Sequence, residues 1–149
     1  MAANVVFQVS RTLPFNADRV FEALIDWRGH ADWVPLTKVE ILSGDGAVGT
    51  EFIATSGVGP LALPDRMRVD SLDREARTSR ITKVGPVLTG VVDLTVTQQG
   101  ENSSSVHWVE NVQVPMLPQF LARPVAAAAR AAFMQALGRM ERYLRKSAR

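Results

Sequence analysis

A single carboxylate in an otherwise apolar row is the first candidate for chemistry in this sequence. Residues 104–114 alternate as a β-strand does, and one face of that strand carries Val106, Trp108, Glu110, Val112 and Val114. A lone charge among apolar side chains is costly unless it is paired, neutral or hydrated. Arg11, in the inward row of the first strand, is the predicted partner of Glu110. The pair predicts groups that orient a ligand or transfer protons, or else an ion pair near the rim of the sheet.

Other motifs with chemical potential lack the structural context that they need. His107 and Glu110 lie three residues apart, which puts them on opposite faces of a strand, and His30 is the only other histidine in a chain without cysteine. No metal site, thiol chemistry or disulfide is therefore expected. Residues 44–49 match G-x-G-x-x-G, but a strand follows them where a nucleotide site needs a helix. These glycines predict a hairpin connection, and no cofactor is expected.

Residues 118–149 predict a long helix that is regular from about residue 124. Helical steps through Phe133 place the following residues on one face: Ala122, Ala126, Ala129, Leu137, Met140 and Leu144. The first half of this stripe is small and the second half is large. Small residues on a buried stripe predict one of two arrangements, because an empty space in a core is costly. Either bulky side chains such as Trp33 and Trp108 face them, or a ligand does.

The elements before this helix predict a single α+β domain over residues 1–149. Residues 5–13 alternate as a strand, Asn16 is a good N-cap for a helix over 17–26, and a second short helix is expected before Pro35. Six β-rich segments follow between residues 38 and 114. Together with the first strand they predict a seven-stranded antiparallel sheet, whose apolar face the C-terminal helix has to cover.

Composition narrows the expected location and partners. The chain has no secretory leader pattern and no apolar segment of membrane-spanning length, and its lack of cysteine fits a reducing compartment. A cytoplasmic location without integral membrane association is therefore expected. Residues 118–149 carry seven Arg or Lys and one Glu. The solvated outer face of a helix accounts for this charge, so nucleic acid is not an expected partner.

The order of elements resembles the START-like helix-grip superfamily. The resemblance is carried by NADRVFEALIDWRGHADWVP, GDGAVGTEF, DRMRVDSLD and VHWVENVQVP before a long helix, and it covers essentially the whole chain. Within that superfamily (SRPBCC-type), the chain is most similar to the polyketide cyclase/dehydrase and lipid-transport group. The resemblance implies a curved sheet gripping the last helix around an apolar cavity that holds a lipid, a polyketide or another hydrophobic molecule. It does not fix the chemistry, since members include binders, cyclases and regulators.

These observations predict a ligand-binding cavity between the sheet and the C-terminal helix. Its expected lining is Trp33, Phe52, Met67, Leu94, Trp108, Glu110, Ala122, Ala126, Ala129 and Phe133. The main hypothesis is non-covalent binding or transport of a hydrophobic small molecule. Two alternatives stay open: a cofactor-independent aromatase/cyclase or dehydratase that uses Glu110 and Arg11, and a protein-interaction module with a packed core. The irregular segment 55–65 predicts either an entrance loop or a long hairpin.

Overall fold

Seven antiparallel strands form one curved sheet that wraps around a long C-terminal helix. The computed structural model describes residues 2–147, except for the side chain of Leu61, so residues 1, 148 and 149 of the predicted domain lie outside it. The elements in chain order are β1 (Ala2–Leu13), α1 (Ala17–Ile25), α2 (His30–Trp33), β2 (Thr37–Ser43), β3 (Glu51–Ser56), β4 (Leu63–Asp73), β5 (Thr78–Val84), β6 (Thr89–Gly100), β7 (Ser103–Pro115) and α3 (Ala122–Ser147). The predicted α+β helix-grip architecture is confirmed.

The sheet follows the alternation in the sequence. Its strand order is β1-β7-β6-β5-β4-β3-β2, with every neighbouring pair antiparallel. In β1 the side chains of Val5, Phe7 and Val9 are buried while the residues between them are exposed. Register shifts interrupt the ladders of β2, β4 and β6, and such bulges bend a strand. The sheet therefore presents one concave apolar face.

Helix α1 begins at Ala17, as the sequence predicts, and α2 covers only His30–Trp33 of the segment before Pro35. Asn16 caps α1, because its side-chain oxygen accepts a hydrogen bond from the backbone N–H of Arg19 at 2.9 Å. Val20, Phe21 and Leu24 of α1 are buried against the sheet. The glycines of residues 44–49 connect β2 to β3, as the hairpin prediction required.

Helix α3 carries the graded stripe that the sequence predicts. A 3-10 turn over Gln119–Leu121 precedes it. In its second half, Leu137, Met140 and Leu144 are buried, whereas Ala126 and Ala129 in its first half are only partly buried. The large buried side chains of the helix therefore lie in its second half.

Polar contacts hold α3 in place. Arg11 on β1 and Glu141 on α3 form an ion pair at 3.1 Å. Arg130 donates through Nε to the carbonyl of Gln8 at 3.1 Å, and Arg139 does the same to the carbonyl of Trp33 at 3.2 Å. Two arginines of α3 thus bind β1 and α2 instead of facing solvent alone.

Candidate ligand cavity

A partly enclosed cavity lies between α2, Phe133 of α3 and the concave face of the sheet. The cavity has a volume of about 100 Å³. An apolar cavity of about 150 Å³ holds a benzene molecule, and a single water needs only about 10–15 Å³. The space is therefore of the right order for one ring or a short chain, and too small for an undistorted multi-ring ligand.

Six of the predicted lining residues surround this cavity. They are Phe52, Met67, Leu94, Trp108, Glu110 and Phe133. The rings of Trp108 and Phe133 lie 4.8 Å apart, and Phe52 stacks on Trp27 at 5.2 Å. Aromatic and aliphatic side chains thus make up most of the lining.

Four residues expected on the lining lie elsewhere. Ala122, Ala126 and Ala129 are not among the lining residues. Ala122 is buried and the other two are partly buried against the core, where Arg130 of α3 contacts Gln8 of β1. Trp33 is buried beside His30, with 4.7 Å between the ring centroids, and its carbonyl contacts α3. The cavity is therefore displaced from the alanines toward α2 and strands β3 to β6.

The predicted pairing of Glu110 with Arg11 is wrong. Phe7 is the residue of β1 that lies opposite Glu110, while Arg11 lies opposite Val106, four positions further along. Arg11 instead pairs with Glu141, and it does not line the cavity. The inward direction of Glu110 is as the alternation predicts, since the residue is only 4% exposed.

The partners of Glu110 come from the middle of the sheet. Lys83 on β5 pairs in register with Met67 on β4, and Asp65 stands two residues before Met67 on the same face. On the other side of β5, Val92 of β6 pairs with Ile81 of β5 and with Glu110 of β7. Ile81 stands two residues before Lys83, on the same face of β5. Three neighbouring positions of one curved face thus bring Asp65, Lys83 and Glu110 together.

The three side chains form a buried charged group at the cavity. Lys83, 6% exposed, donates a hydrogen bond to Asp65 Oδ2, and its Nζ lies 3.9 Å from Glu110 Oε2. The indole N–H of Trp108 donates to Glu110 Oε1 at 2.9 Å. The second oxygen of Asp65, Oδ1, is buried and has no hydrogen-bond partner. We call Asp65, Lys83 and Glu110 the charged triad.

Burial sets the electrostatics of the triad. Loss of water raises the pKa of Glu110 above its usual value, although Lys83 and the Trp108 hydrogen bond oppose the rise. Burial likewise raises the pKa of Asp65 against the attraction of Lys83. For Lys83, burial alone lowers the pKa, but the two carboxylates outweigh it and the net pKa is raised. The ammonium of Lys83 therefore stays charged beside the two carboxyls.

His30 adds a neutral polar group to the lining. Its Nε2 lies 2.6 Å from the carbonyl of Leu24, which can only accept a hydrogen bond, so Nε2 carries the ring hydrogen. Burial lowers the pKa of His30 and keeps the imidazole neutral. Its Nδ1 is therefore a hydrogen-bond acceptor.

Sequence reasoning missed Asp65, Lys83 and His30 as cavity residues. Strict alternation contained the signal for two of them: Asp65 shares a strand face with Met67, and Lys83 shares one with Ile81. Charged residues on both faces of these strands hid that signal. His30 could not be placed, because a four-residue helix has no periodicity to orient it.

A second depression lies on the surface, between the end of α1 and the loop that connects β2 to β3. Its volume is larger, about 490 Å³, but it is a cleft open to solvent. Its charged residues include Glu22 and Arg74, which already pair at 2.9 Å. An apolar ligand there would stay in contact with water, so the inner cavity is the stronger candidate site.

Three further observations concern the described chain. Within residues 2–147, no three His, Asp or Glu side chains come together as a metal site would require. Over the same range, no helix is both long and apolar enough to cross a bilayer. The segment between β3 and β4 contains a 3-10 turn over Gly59–Leu61 and exposes Val58. Its role as an entrance loop stays a prediction.

The sheet, the gripped helix and the cavity between them define a START-like helix-grip protein. The sequence model of the family described as polyketide cyclase/dehydrase and lipid transport matches residues 4–145. The chain belongs to this family. Among curated protein sequences, none matches it significantly.

Solved structures share the fold at low sequence identity. The Zhui aromatase/cyclase from Streptomyces sp. R1128 is 18% identical, with a TM-score of 0.80 over 98% of this chain and 96% of its own. A START superfamily protein from Mycobacterium smegmatis is 14% identical, with a TM-score of 0.78 over 93% and 98%. Norcoclaurine synthase from Thalictrum flavum is 19% identical, with a TM-score of 0.68 over 93% and 87%. At these identities the likeness establishes the fold alone.

Proposed function

We propose that this protein binds a hydrophobic small molecule non-covalently in the inner cavity, with the charged triad holding the polar end of the ligand. The observation that carries the proposal is the combination of aromatic and aliphatic walls with a few convergent polar groups, which is the usual composition of a small-molecule site. A cavity of about 100 Å³ suits a ligand, or a part of one, with the bulk of a single ring.

The buried ionisable groups also support this proposal. Burying charge is unfavourable, and apolar side chains of similar size often stabilise a core at least as well as an ion pair does. Lys83 and Glu110 nevertheless line a space that apolar residues could fill, and Asp65 Oδ1 has no partner. A ligand that contacts these atoms gives the triad a use that folding alone does not.

Catalysis of proton transfer is the second candidate, in place of the predicted mechanism with Arg11. It is favoured by the raised pKa of Glu110, which brings this carboxyl closer to the range in which a general acid or base works. Asp65 and Lys83 would then set its protonation state. Binding and catalysis both require a ligand of the same polarity in the same cavity, so binding is the property to test first.

The test fills the cavity and measures uptake of a single-ring probe. Ala54 lies on the lining, so Ala54→Phe places a ring where the ligand would sit, whereas Ala127→Phe makes the same change on the exposed side of α3. Benzyl alcohol should bind the wild type and Ala127→Phe equally in isothermal titration calorimetry. Its affinity for Ala54→Phe should fall by about tenfold or more. Equal binding to all three folded proteins would place the probe outside the cavity and contradict the proposal.

A further inference from the structure

The hydrogen-bond donors on the cavity wall are all engaged within the protein. Trp27 donates to the carbonyl of Gly46 at 2.8 Å, Trp108 donates to Glu110 and His30 donates to Leu24. Thr37 donates to the carbonyl of Pro35 at 3.0 Å, which leaves the hydroxyl hydrogen of Ser56 to bridge to Thr37 Oγ1 at 2.8 Å. The wall therefore has no free side-chain donor among these residues.

Lys83 is held by the two carboxylates. Its ammonium group donates a hydrogen bond to Asp65 Oδ2 and lies 3.9 Å from both Glu110 Oε2 and the sulfur of Met67. The separation from Glu110 Oε2 is that of an ion pair and is too long for a hydrogen bond. A ligand carboxylate or ketone that accepted an N–H of Lys83 would compete with the attraction between the ammonium and these two carboxylates.

The acceptors on the same wall are not satisfied. Asp65 Oδ1 is buried without a partner, and no hydrogen bond from residues 2–147 reaches Glu110 Oε2 or His30 Nδ1. A buried acceptor without a donor is unfavourable, so a molecule that brings a donor to Asp65 Oδ1 relieves this cost. A ligand that satisfies these acceptors therefore has to carry N–H or O–H groups.

The charge of the triad selects among donors. Asp65 and Glu110 carry two negative charges against the single positive charge of Lys83, and His30 is neutral. Burial raises the pKa of both carboxyls, and the charge of Asp65 adds a smaller rise to the pKa of Glu110. The rings of Phe52, Trp108 and Phe133 on the lining also favour a cation over a neutral group.

Building on the proposed binding function, we infer that the ligand is a small hydrophobic amine, bound as its ammonium form with N–H groups directed at Asp65 Oδ1 and Glu110 Oε2. An alcohol with the same apolar body satisfies one acceptor without supplying the charge. A carboxylate adds a second uncompensated negative charge and competes with Asp65 and Glu110 for Lys83. The expected order of affinity is ammonium, then alcohol, then carboxylate.

Benzylamine, benzyl alcohol and benzoate share one ring and differ only in the polar group, so they test this order directly. At about pH 7 benzylamine should bind about tenfold more tightly than benzyl alcohol, which is the difference between a charge-assisted and a neutral hydrogen bond. Benzoate should bind at least about tenfold more weakly than the alcohol. Equal affinities, or tightest binding of benzoate, would overturn the inference while the binding function stands. Failure of all three to bind would reject the binding function itself.

Two asparagine variants locate the ammonium. Asp65→Asn removes one charge of the triad and should weaken benzylamine about tenfold while changing benzyl alcohol by less than about threefold. Asp45→Asn removes the same charge from the outer cleft and should change neither. Loss of benzylamine binding in Asp45→Asn would place the amine in the outer cleft and overturn the assignment. The wild-type ranking of the three probes tests the inference even if Asp65→Asn does not fold.

Discussion

Glu110 and Glu141 show how one side-chain type takes opposite properties in two regions of this molecule. Glu141 lies at the surface of α3, 17% exposed, and bonds Arg145 at 2.9 Å and Arg11 at 3.1 Å. These partners lower the pKa of Glu141, with Arg145 as the larger cause. Glu110 lies at the cavity, and burial raises its pKa although Lys83 is close. Both carboxyls have basic neighbours, so access to water decides the direction.

The Arg11–Glu141 pair and the charged triad also differ in role. The Arg11–Glu141 pair connects β1 to α3, and Gly138 beside it leaves room for the Arg11 guanidinium, 3.8 Å from where a side chain would begin. Its oxygens are satisfied by two arginines. The charged triad keeps an unpartnered oxygen on Asp65 facing no protein donor. Each arrangement contains one buried polar atom without a partner, Arg11 Nε in the first and Asp65 Oδ1 in the second, but only Asp65 lies on the lining of the cavity.

Removing Lys83 should have the largest effect on stability. Lys83→Met leaves two carboxyls buried without their cation, and breaking a buried pair in this way costs about 3–5 kcal/mol. Urea unfolding should show most of this loss at about pH 8 and less at about pH 5, because protonation of Asp65 and Glu110 removes the unpaired charge. Arg11→Met, the matched change in the surface pair, should cost only about 0–1 kcal/mol. Similar losses in the two variants would contradict the distinction between the regions.

Neutralising the two glutamates should change the pH dependence of stability in opposite directions. A carboxyl with a raised pKa holds its proton more tightly when folded, so stability falls as the pH rises from its unfolded to its folded pKa. Glu110→Gln should remove this fall. For Glu141, with a lowered pKa, stability grows as the pH rises from its folded to its unfolded pKa, so Glu141→Gln should be the less stable protein at neutral pH, by about 0.5–1 kcal/mol.

Unfolding curves for the wild type and both variants over about pH 2 to 8 measure this contrast, because the window for Glu141 lies below the unfolded pKa of a glutamate. The same Glu110→Gln sample separates binding from catalysis, because a catalytic carboxyl is needed for turnover even where affinity is retained. Parallel pH profiles for the two variants would show that burial does not set the difference between Glu110 and Glu141.

The fold could be predicted from the sequence because it rests on local signals. Alternation in the strands, the Asn16 cap and the helical stripe through Leu137 are each contained in a short segment. The polar partners of Glu110 could not be assigned in the same way. They depend on register, which placed Phe7 and not Arg11 opposite Glu110, and on contacts between β4, β5 and β7 across the curved sheet. The face of the sheet on which a side chain lies could be predicted, but the residues that meet across strands could not.

The position of the cavity shows the same limit. The small residues Ala126 and Ala129 predicted space beneath the helix, but the helix approaches β1 there and the space lies nearer to Phe52 and Leu94. An alanine on a buried stripe permits either outcome. Only the packing of the neighbouring elements decides which one occurs.

Methyl chemical shifts measured during a titration with benzyl alcohol test the central claim most directly. The ligand should shift the methyl resonances of Ile81, Val92 and Leu94 on the cavity wall, and it should leave Leu137 and Leu144 beneath the end of α3 nearly unchanged. Shifts confined to Ile25 and Ile41 would place binding in the outer cleft, and an absence of shifts up to the solubility limit of the probe would show that the inner cavity takes no ligand of this size. Either result would contradict the assignment of the charged triad and its cavity as the binding site.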